Sequence, residues 1–187
     1  MEVRKKVKSE ARSGFTLLEV LVSIGIIAIL GILVTQTFIA TTRTNTKAEL
    51  LKDIKENGDF ALGVMVRMIQ NAADITSSCA TGGTTTDNIS ILNSDGGTTT
   101  FACRLDGSVM RIASVSAGVP AYLTSSNLTL GSAACDTNAL SFVCTTLSDN
   151  TRSVKINFSL AQKGAPVFQF EKMSVSFQTS AVVRNFE

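Results

Sequence analysis

The chain has 187 residues, 44% hydrophobic and 6% aromatic, with a net charge of +2 and no histidine. That length suits one modest domain plus an extension. The missing imidazole excludes Ser-His-Asp, Cys-His and His-metal sites, and the near-neutral balance gives no electrostatic footprint for nucleic acid.

The charge is unevenly placed. Residues 1–14 carry Arg4, Lys5, Lys6, Lys8 and Arg12 against Glu2 and Glu10, which leaves twelve basic and thirteen acidic side chains in the remainder. A basic leader before an apolar run reads as a cytoplasmic anchor under the positive-inside rule. From Val20 to Thr42, 23 residues pass with no charge and no proline. As a helix this stretch rises about 35 Å, enough to cross a bilayer. A secretory signal has a shorter apolar core and is cut after it. Here the small-residue site flanked by charge, Ser13-Gly14, comes before the core, so the apolar segment survives processing.

Glu19 stands at the head of that segment. A carboxylate near the centre of a membrane helix costs roughly 2.5–3.5 kcal/mol on insertion scales. Near the helix start the cost falls, because the dipole favours negative charge there. Glu19 then either rests at the headgroup level or meets a cation away from water. Cleavage after Gly14 creates such a cation, the new α-amino group of Phe15, four residues before Glu19. The amine can belong to the same chain or to a neighbour, and a polar pair in a greasy contact sets register more than it adds stability.

The segment GFTLLEVLVSIGIIAILGILV resembles the N-terminal signature of type IV pilins and type II secretion pseudopilins. The basic leader, the Gly14-Phe15 junction, Thr16, Glu19 and the unbroken apolar run all carry the likeness. The resemblance implies cleavage by a prepilin peptidase after Gly14, N-methylation of Phe15, and assembly through the helix, with Thr16 and Glu19 at the assembly positions. It implies other pilins or pseudopilins and an inner-membrane assembly platform as partners, with lipid around the helix before assembly. It also implies that the chain sits first in the cytoplasmic membrane as a single pass, its head outside the cytoplasm, and then in an extracellular or periplasmic filament. One departure stands out. Many major pilins bend this helix with a proline about two-thirds along, where this chain has Gln36. Gly25 and Gly31 are its only weak points, each costing about 1 kcal/mol relative to Ala.

From Arg43 the chain turns amphipathic. Leu50, Leu51, Ile54, Gly58, Ala61, Leu62, Met65, Met68, Ile69 and Ala72 recur at steps of three and four. Lys47, Glu49, Lys52, Asp53, Lys55, Glu56 and Asp59 fill the other face as a solvated surface. The pattern predicts one helix over 15–73, about 88 Å long, whose second half is covered by a sheet. Residues 74–88 read as a loop. Strands are predicted at Ile89–Leu92, Thr99–Leu105, Val109–Ser114, Leu140–Cys144, Val154–Leu160 and Val167–Gln178. Asp106-Gly107 supplies a tight hairpin turn. Val154, Ile156, Phe158 and Leu160 alternate, as do Phe168, Phe170, Met173 or Val175, and Phe177. One greasy and one polar face implies an antiparallel sheet packed on a helix. The predicted fold is α+β, a long N-terminal helix against a small antiparallel sheet. Its divisions are a leader 1–14, an assembly helix 15–42, an amphipathic continuation 43–73 and a β head 74–187.

Cys79, Cys103, Cys135 and Cys144 all follow the apolar segment, which suggests disulfides in an oxidising compartment. Three pairings are possible, with buried free thiols as the alternative. Loop closure favours Cys79–Cys103 with Cys135–Cys144, each contributing about 2–4 kcal/mol. No C-x-x-C pair supports a metal. Gly82-Gly83 and Gly96-Gly97 sit in Thr-rich turns and precede no helix. Asp87, Asp95, Asp136 and Asp149 lack the spacing of a calcium loop and read as turn residues. The expectation is a structural, non-enzymatic protein with no cofactor and no metal.

Head stretches such as LDGSVMRIASVSAGVPAYLTSSNLTL, the helix stretch ALGVMVRMIQNA and the ending AVVRNFE resemble the larger-headed minor pilins and pseudopilins. That likeness implies a minor or initiating component. The alternative is a tip-located binding module, held by the same helix, that recognises a surface, DNA or a secreted substrate.

Overall fold

A computed structural model describes residues 14–147, 151–164 and 173–183. The leader up to Ser13, Asp149, Phe168, Phe170 and residues 184–187 lie outside the described residues. Helix α1 runs from Leu17 to Gln70. The strands are β1 (Asp74–Ile75), β2 (Thr84–Thr86), β3 (Asn88–Leu92), β4 (Thr98–Asp106), β5 (Val109–Ser116), β6 (Val119–Tyr122), β7 (Leu128–Leu130), β8 (Leu140–Thr146), β9 (Arg152–Gln162) and β10 (Ser174–Val182). Two compact units divide the chain at Asn45/Thr46, inside α1.

Within 46–187, α1 buries Ile54, Gly58, Ala61, Met65 and Ile69. Their spacing of three and four puts them on one helix face. The helix ends where its polypeptide joins a sheet. Asn71 N–H still donates to Arg67 O at 3.1 Å, but Ala73 N–H donates to Leu92 O at 2.8 Å.

The strands form two antiparallel sheets, not the single small sheet expected. One has the order β1-β3-β4-β5-β6; the other has β10-β9-β8-β2, with β7 also beside β9. The 74–88 segment, read as a loop, supplies β1 to the first sheet and β2 to the second. Strand pairing explains why: backbone hydrogen bonds to β3 and β8 hold these two short pieces without needing apolar periodicity. Strands β6 and β7 were also not expected. Pro120 sits in β6, an edge strand, where a missing N–H costs the ladder least. The final strand begins at Ser174 among the described residues and runs on to Val182, beyond the expected Gln178.

The second sheet shows how register builds the core. Leu140 faces Phe158, Phe142 faces Ile156 and Cys144 faces Val154 across β8 and β9, and all six are buried. Phe158 faces Phe177 of β10, and their rings stack with centroids 5.1 Å apart. Phe177 lies against Gly58, where an added Cβ would sit 2.1 Å from the ring. One apolar core thus joins the helix face to Ile89, Ile91, Phe101 and Ile112 of the first sheet and to the second sheet. Each large side chain so buried contributes about 1.5–3 kcal/mol. Asn57 ties helix to loop: its amide oxygen accepts Ser125 N–H at 2.9 Å. Arg152 of β9 reaches Asp74 of β1 at 2.5 Å and also the Ile75 carbonyl.

The disulfides correct the expected pairing. Cys79 bonds Cys144 and Cys103 bonds Cys135, with Cα separations of 4.9 and 5.4 Å. Cys79–Cys103 and Cys135–Cys144 are not formed. The sheet decides this. β2 pairs with β8, with Thr84 opposite Cys144, and Ala80 bridges Thr145, so Cys79 arrives beside Cys144. Loop-closure preference is weak, about 0.6 kcal/mol per doubling of length, and strand pairing outweighs it.

The β4–β5 hairpin is where the sequence places it, closed by Asp106 opposite Val109. The positive φ falls on Gly107 alone, at 62°. That suits a two-residue turn with glycine first.

Candidate processing and assembly site

Gly14, Phe15 and Thr16 precede α1 in non-helical chain. Gly14 is exposed, and no atom lies within 4 Å of where its Cβ would stand. Phe15 is 82% exposed. The peptide bond expected to be cut therefore lies outside the helix and is uncovered within the described residues.

Thr16 is the helix N-cap. Its carbonyl accepts Glu19 N–H at 3.1 Å and Val20 N–H at 3.2 Å, and its hydroxyl accepts Glu19 N–H at 3.3 Å. A threonine hydroxyl on the third helical amide satisfies one of the donors a helix start leaves free, and is typically worth about 1 kcal/mol. Glu19 occupies that third position, in the first turn, where the dipole favours a carboxylate. The capping role of Thr16 was not read from the sequence, although Thr-x-x-Glu before an apolar run signals it. So Thr16 and Glu19 belong to one local device, while the four cysteines lie in the head as staples.

From Leu17 to Ile39 the large apolar side chains are exposed, from 45% at Ile39 to 80% at Leu17. The best 18-residue window of α1 has a mean hydropathy of 2.8 and is 0% buried. By length and composition the helix can cross a membrane. Its hydroxyls suit that setting. Ser23 donates to Glu19 O at 2.7 Å, Thr35 to Gly31 O at 2.8 Å, Thr37 to Val34 O at 2.9 Å, Thr41 to Thr37 O at 2.9 Å and Thr42 to Phe38 O at 3.0 Å. A hydroxyl that bonds its own helix enters hydrocarbon without an orphaned donor.

The loop aspartates Asp87, Asp95 and Asp136 are occupied by their own turns. Asp95 accepts Gly97 N–H at 2.8 Å and Asp87 accepts the Asn88 amide at 2.8 Å. Asp136 accepts Asn138 N–H at 2.9 Å, Ala139 N–H at 3.1 Å and the Ser132 hydroxyl at 3.3 Å through one oxygen, and the Asn138 amide at 3.1 Å through the other. The Asn138 side chain, then its backbone N–H, hold the Asp136 carboxyl below its ordinary value. Among the described residues no three Cys, Asp or Glu side chains group as metal ligands would.

The family model of the prokaryotic N-terminal methylation motif matches residues 11–35. Neither the curated proteins nor the solved structures gave a match. The matched stretch spans Gly14, Phe15, the Thr16 cap, Glu19 and most of the exposed apolar helix. This chain therefore carries the N-terminal methylation motif of type IV prepilins and pseudopilins, set at the capped start of a helix able to enter a membrane.

Proposed function

We propose that the chain is a structural subunit of a type IV pilus-like filament. It is made as a precursor in the cytoplasmic membrane, cut after Gly14 by a prepilin peptidase and methylated on Phe15. It then assembles through residues 15–42 with other pilins or pseudopilins, delivered by an inner-membrane platform. From residue 43 the helix continues to Gln70 and the chain leads on into the β head of 74–187. The observation that carries this reading is the methylation motif over residues 11–35 on a helix whose large apolar side chains from Leu17 to Ile39 are exposed. Leaving lipid, that surface needs other apolar surface, and neighbouring helices supply it.

The cap geometry supports the roles of Thr16 and Glu19. Cutting after Gly14 leaves Thr16 in the mature chain, so the helix start survives. The new Phe15 ammonium lies next to the positive end of the helix dipole, which disfavours it. The Glu19 carboxylate, one turn on, offsets that charge in the same chain or a neighbour.

The finer reading is a minor or initiating component, based on the likeness of the head stretches to larger-headed subunits. Its measure is abundance: trace amounts along purified filaments, with initiation lost on deletion.

The test uses two substitutions. Gly14→Glu should leave only full-length precursor on a gel, and since nothing lies within 4 Å of a Cβ at Gly14 the substitution disturbs no packing among the described residues. Glu19→Val should be cut normally and yield at least tenfold fewer filaments. Normal filament yield from Glu19→Val would remove Glu19 from assembly.

A further inference from the structure

Between Val20 and Thr42 the side chains able to hydrogen-bond are Ser23, Thr35, Gln36, Thr37, Thr41 and Thr42. Every hydroxyl among them donates to a carbonyl of its own helix. The Gln36 side chain is exposed and has no hydrogen-bond partner among the described residues. It stands six residues before Thr42, about 9 Å along the helix, farther than its short side chain reaches toward the headgroups. An amide held in hydrocarbon with nothing to bond is unfavourable, and such residues face protein partners.

Its surroundings suit a second helix. Ala28, Gly31, Ile32, Thr35 and Gln36 line one shallow hollow, at steps of three and four along one face. No atom lies within 4 Å of where a Cβ on Gly31 would stand, so another backbone can come close. Copies inserted in the same orientation carry Gln36 at the same depth. An amide both donates and accepts, so two Gln36 side chains facing each other satisfy each other.

We propose that, before assembly, two copies of this chain pair in the bilayer as parallel helices across the Gly31–Thr35 hollow, joined by reciprocal Gln36–Gln36 hydrogen bonds. This rests on the reading of residues 15–42 as a membrane and assembly segment. The partner is a second copy, because only a copy presents the complementary amide at the required depth by construction. The contact is separate from the Glu19 device, since Gln36 lies more than four helical turns from Glu19 along the chain.

The disulfide bonds make the test clean, since all four native cysteines are bonded and an introduced thiol is alone. The full-length chain carrying Ile32→Cys would be placed in phosphatidylcholine vesicles and oxidised. Ile32 lies in the hollow, whereas Val34 points to another helix face. Ile32→Cys should give a crosslinked dimer and Val34→Cys little. Adding Gln36→Leu should lower the Ile32→Cys dimer roughly three- to tenfold, and Gln36→Asn should keep most of it. Circular dichroism of Gln36→Leu would check that the helix is intact. Equal crosslinking at both positions, or no loss with Gln36→Leu, overturns the proposal and shows lipid or water covering this face. Neither result touches cleavage after Gly14 or assembly through Glu19, because the vesicles contain neither peptidase nor filament.

Discussion

Residues 17–45 and 46–70 belong to one helix by hydrogen bonding but differ in environment. In the first stretch Leu17 is 80% exposed and Ile27 67%, while in the second Ile54 and Met65 are 0% exposed. The more apolar stretch buries nothing within the described chain, and the more charged one anchors the core. Hydrophobicity sets only the demand for cover. Whether the chain meets that demand depends on what it folds back with. The second stretch meets two sheets; the first meets no cover among the described residues.

The contrast can be broken in order of effect. The largest loss should come from the staples of the head. Cys79→Ser with Cys144→Ser opens a bridge across 65 residues of sequence, worth about 4 kcal/mol in the chain-entropy model. Cys103→Ser with Cys135→Ser opens one across 32 and should cost slightly less. Thermal melting of the full chain in detergent measures both. Peptide mapping without reduction should recover 79 with 144 and 103 with 135; any other pairing would refute the strand register between β2 and β8.

Two glycines of the same helix sharpen the comparison further. At Gly58 an added Cβ meets the Phe177 ring, whereas at Gly25 it meets nothing within 4 Å. Gly58→Val should destabilise the head by about 3 kcal/mol, the upper range for overpacking. Gly25→Ala should not lower the melting temperature at all, since alanine favours the helix by about 1 kcal/mol. Equal effects at both positions would mean that the two stretches are packed alike.

The smallest effect is in the loop after Cys135. Asp136 titrates below its ordinary value because Asn138, first through its side-chain amide, bonds the charged form. A depressed carboxyl contributes stability that is fully present above its unfolded value and is lost as pH falls through the folded one. Acidification below the usual carboxylate range should therefore loosen residues 131–139 before the rest of the head. Asp136→Asn should remove that acid sensitivity. NMR titration of the Asp136 carboxyl checks it, and a midpoint at or above the ordinary value would contradict the loop geometry.

Legibility in the sequence followed the strength of local pattern. Helix α1 was readable because charge-free and amphipathic stretches each repeat over many turns, and the described helix ends at Gln70, three residues before the expected Ala73. Strand β9 was readable from alternation at Val154–Leu160, β8 as a short candidate run at Leu140–Cys144, and the β4–β5 hairpin from Asp106-Gly107. The rest depended on partners distant in sequence. Thr84–Thr86 has no greasy face of its own; it becomes a strand only because β8 offers an edge. The same pairing brings Cys79 to Cys144, and no spacing rule contains that information. At the candidate site, Gly14, Phe15 and Glu19 were legible as residue types in order. The Thr16 hydroxyl bond was legible in principle from Thr-x-x-Glu but was read only as membership of the motif. The unbonded state of Gln36 needed the structure, because it emerges only when each neighbouring hydroxyl is seen to bond its own backbone.

The most direct test is intact-mass and N-terminal peptide analysis of the protein recovered from membranes of cells that make it with its peptidase. The account predicts a chain that starts at Phe15, carries a methyl group on its amine and retains residues 15–42. A chain still starting at Met1, or one cut after Thr42 and released, would contradict it.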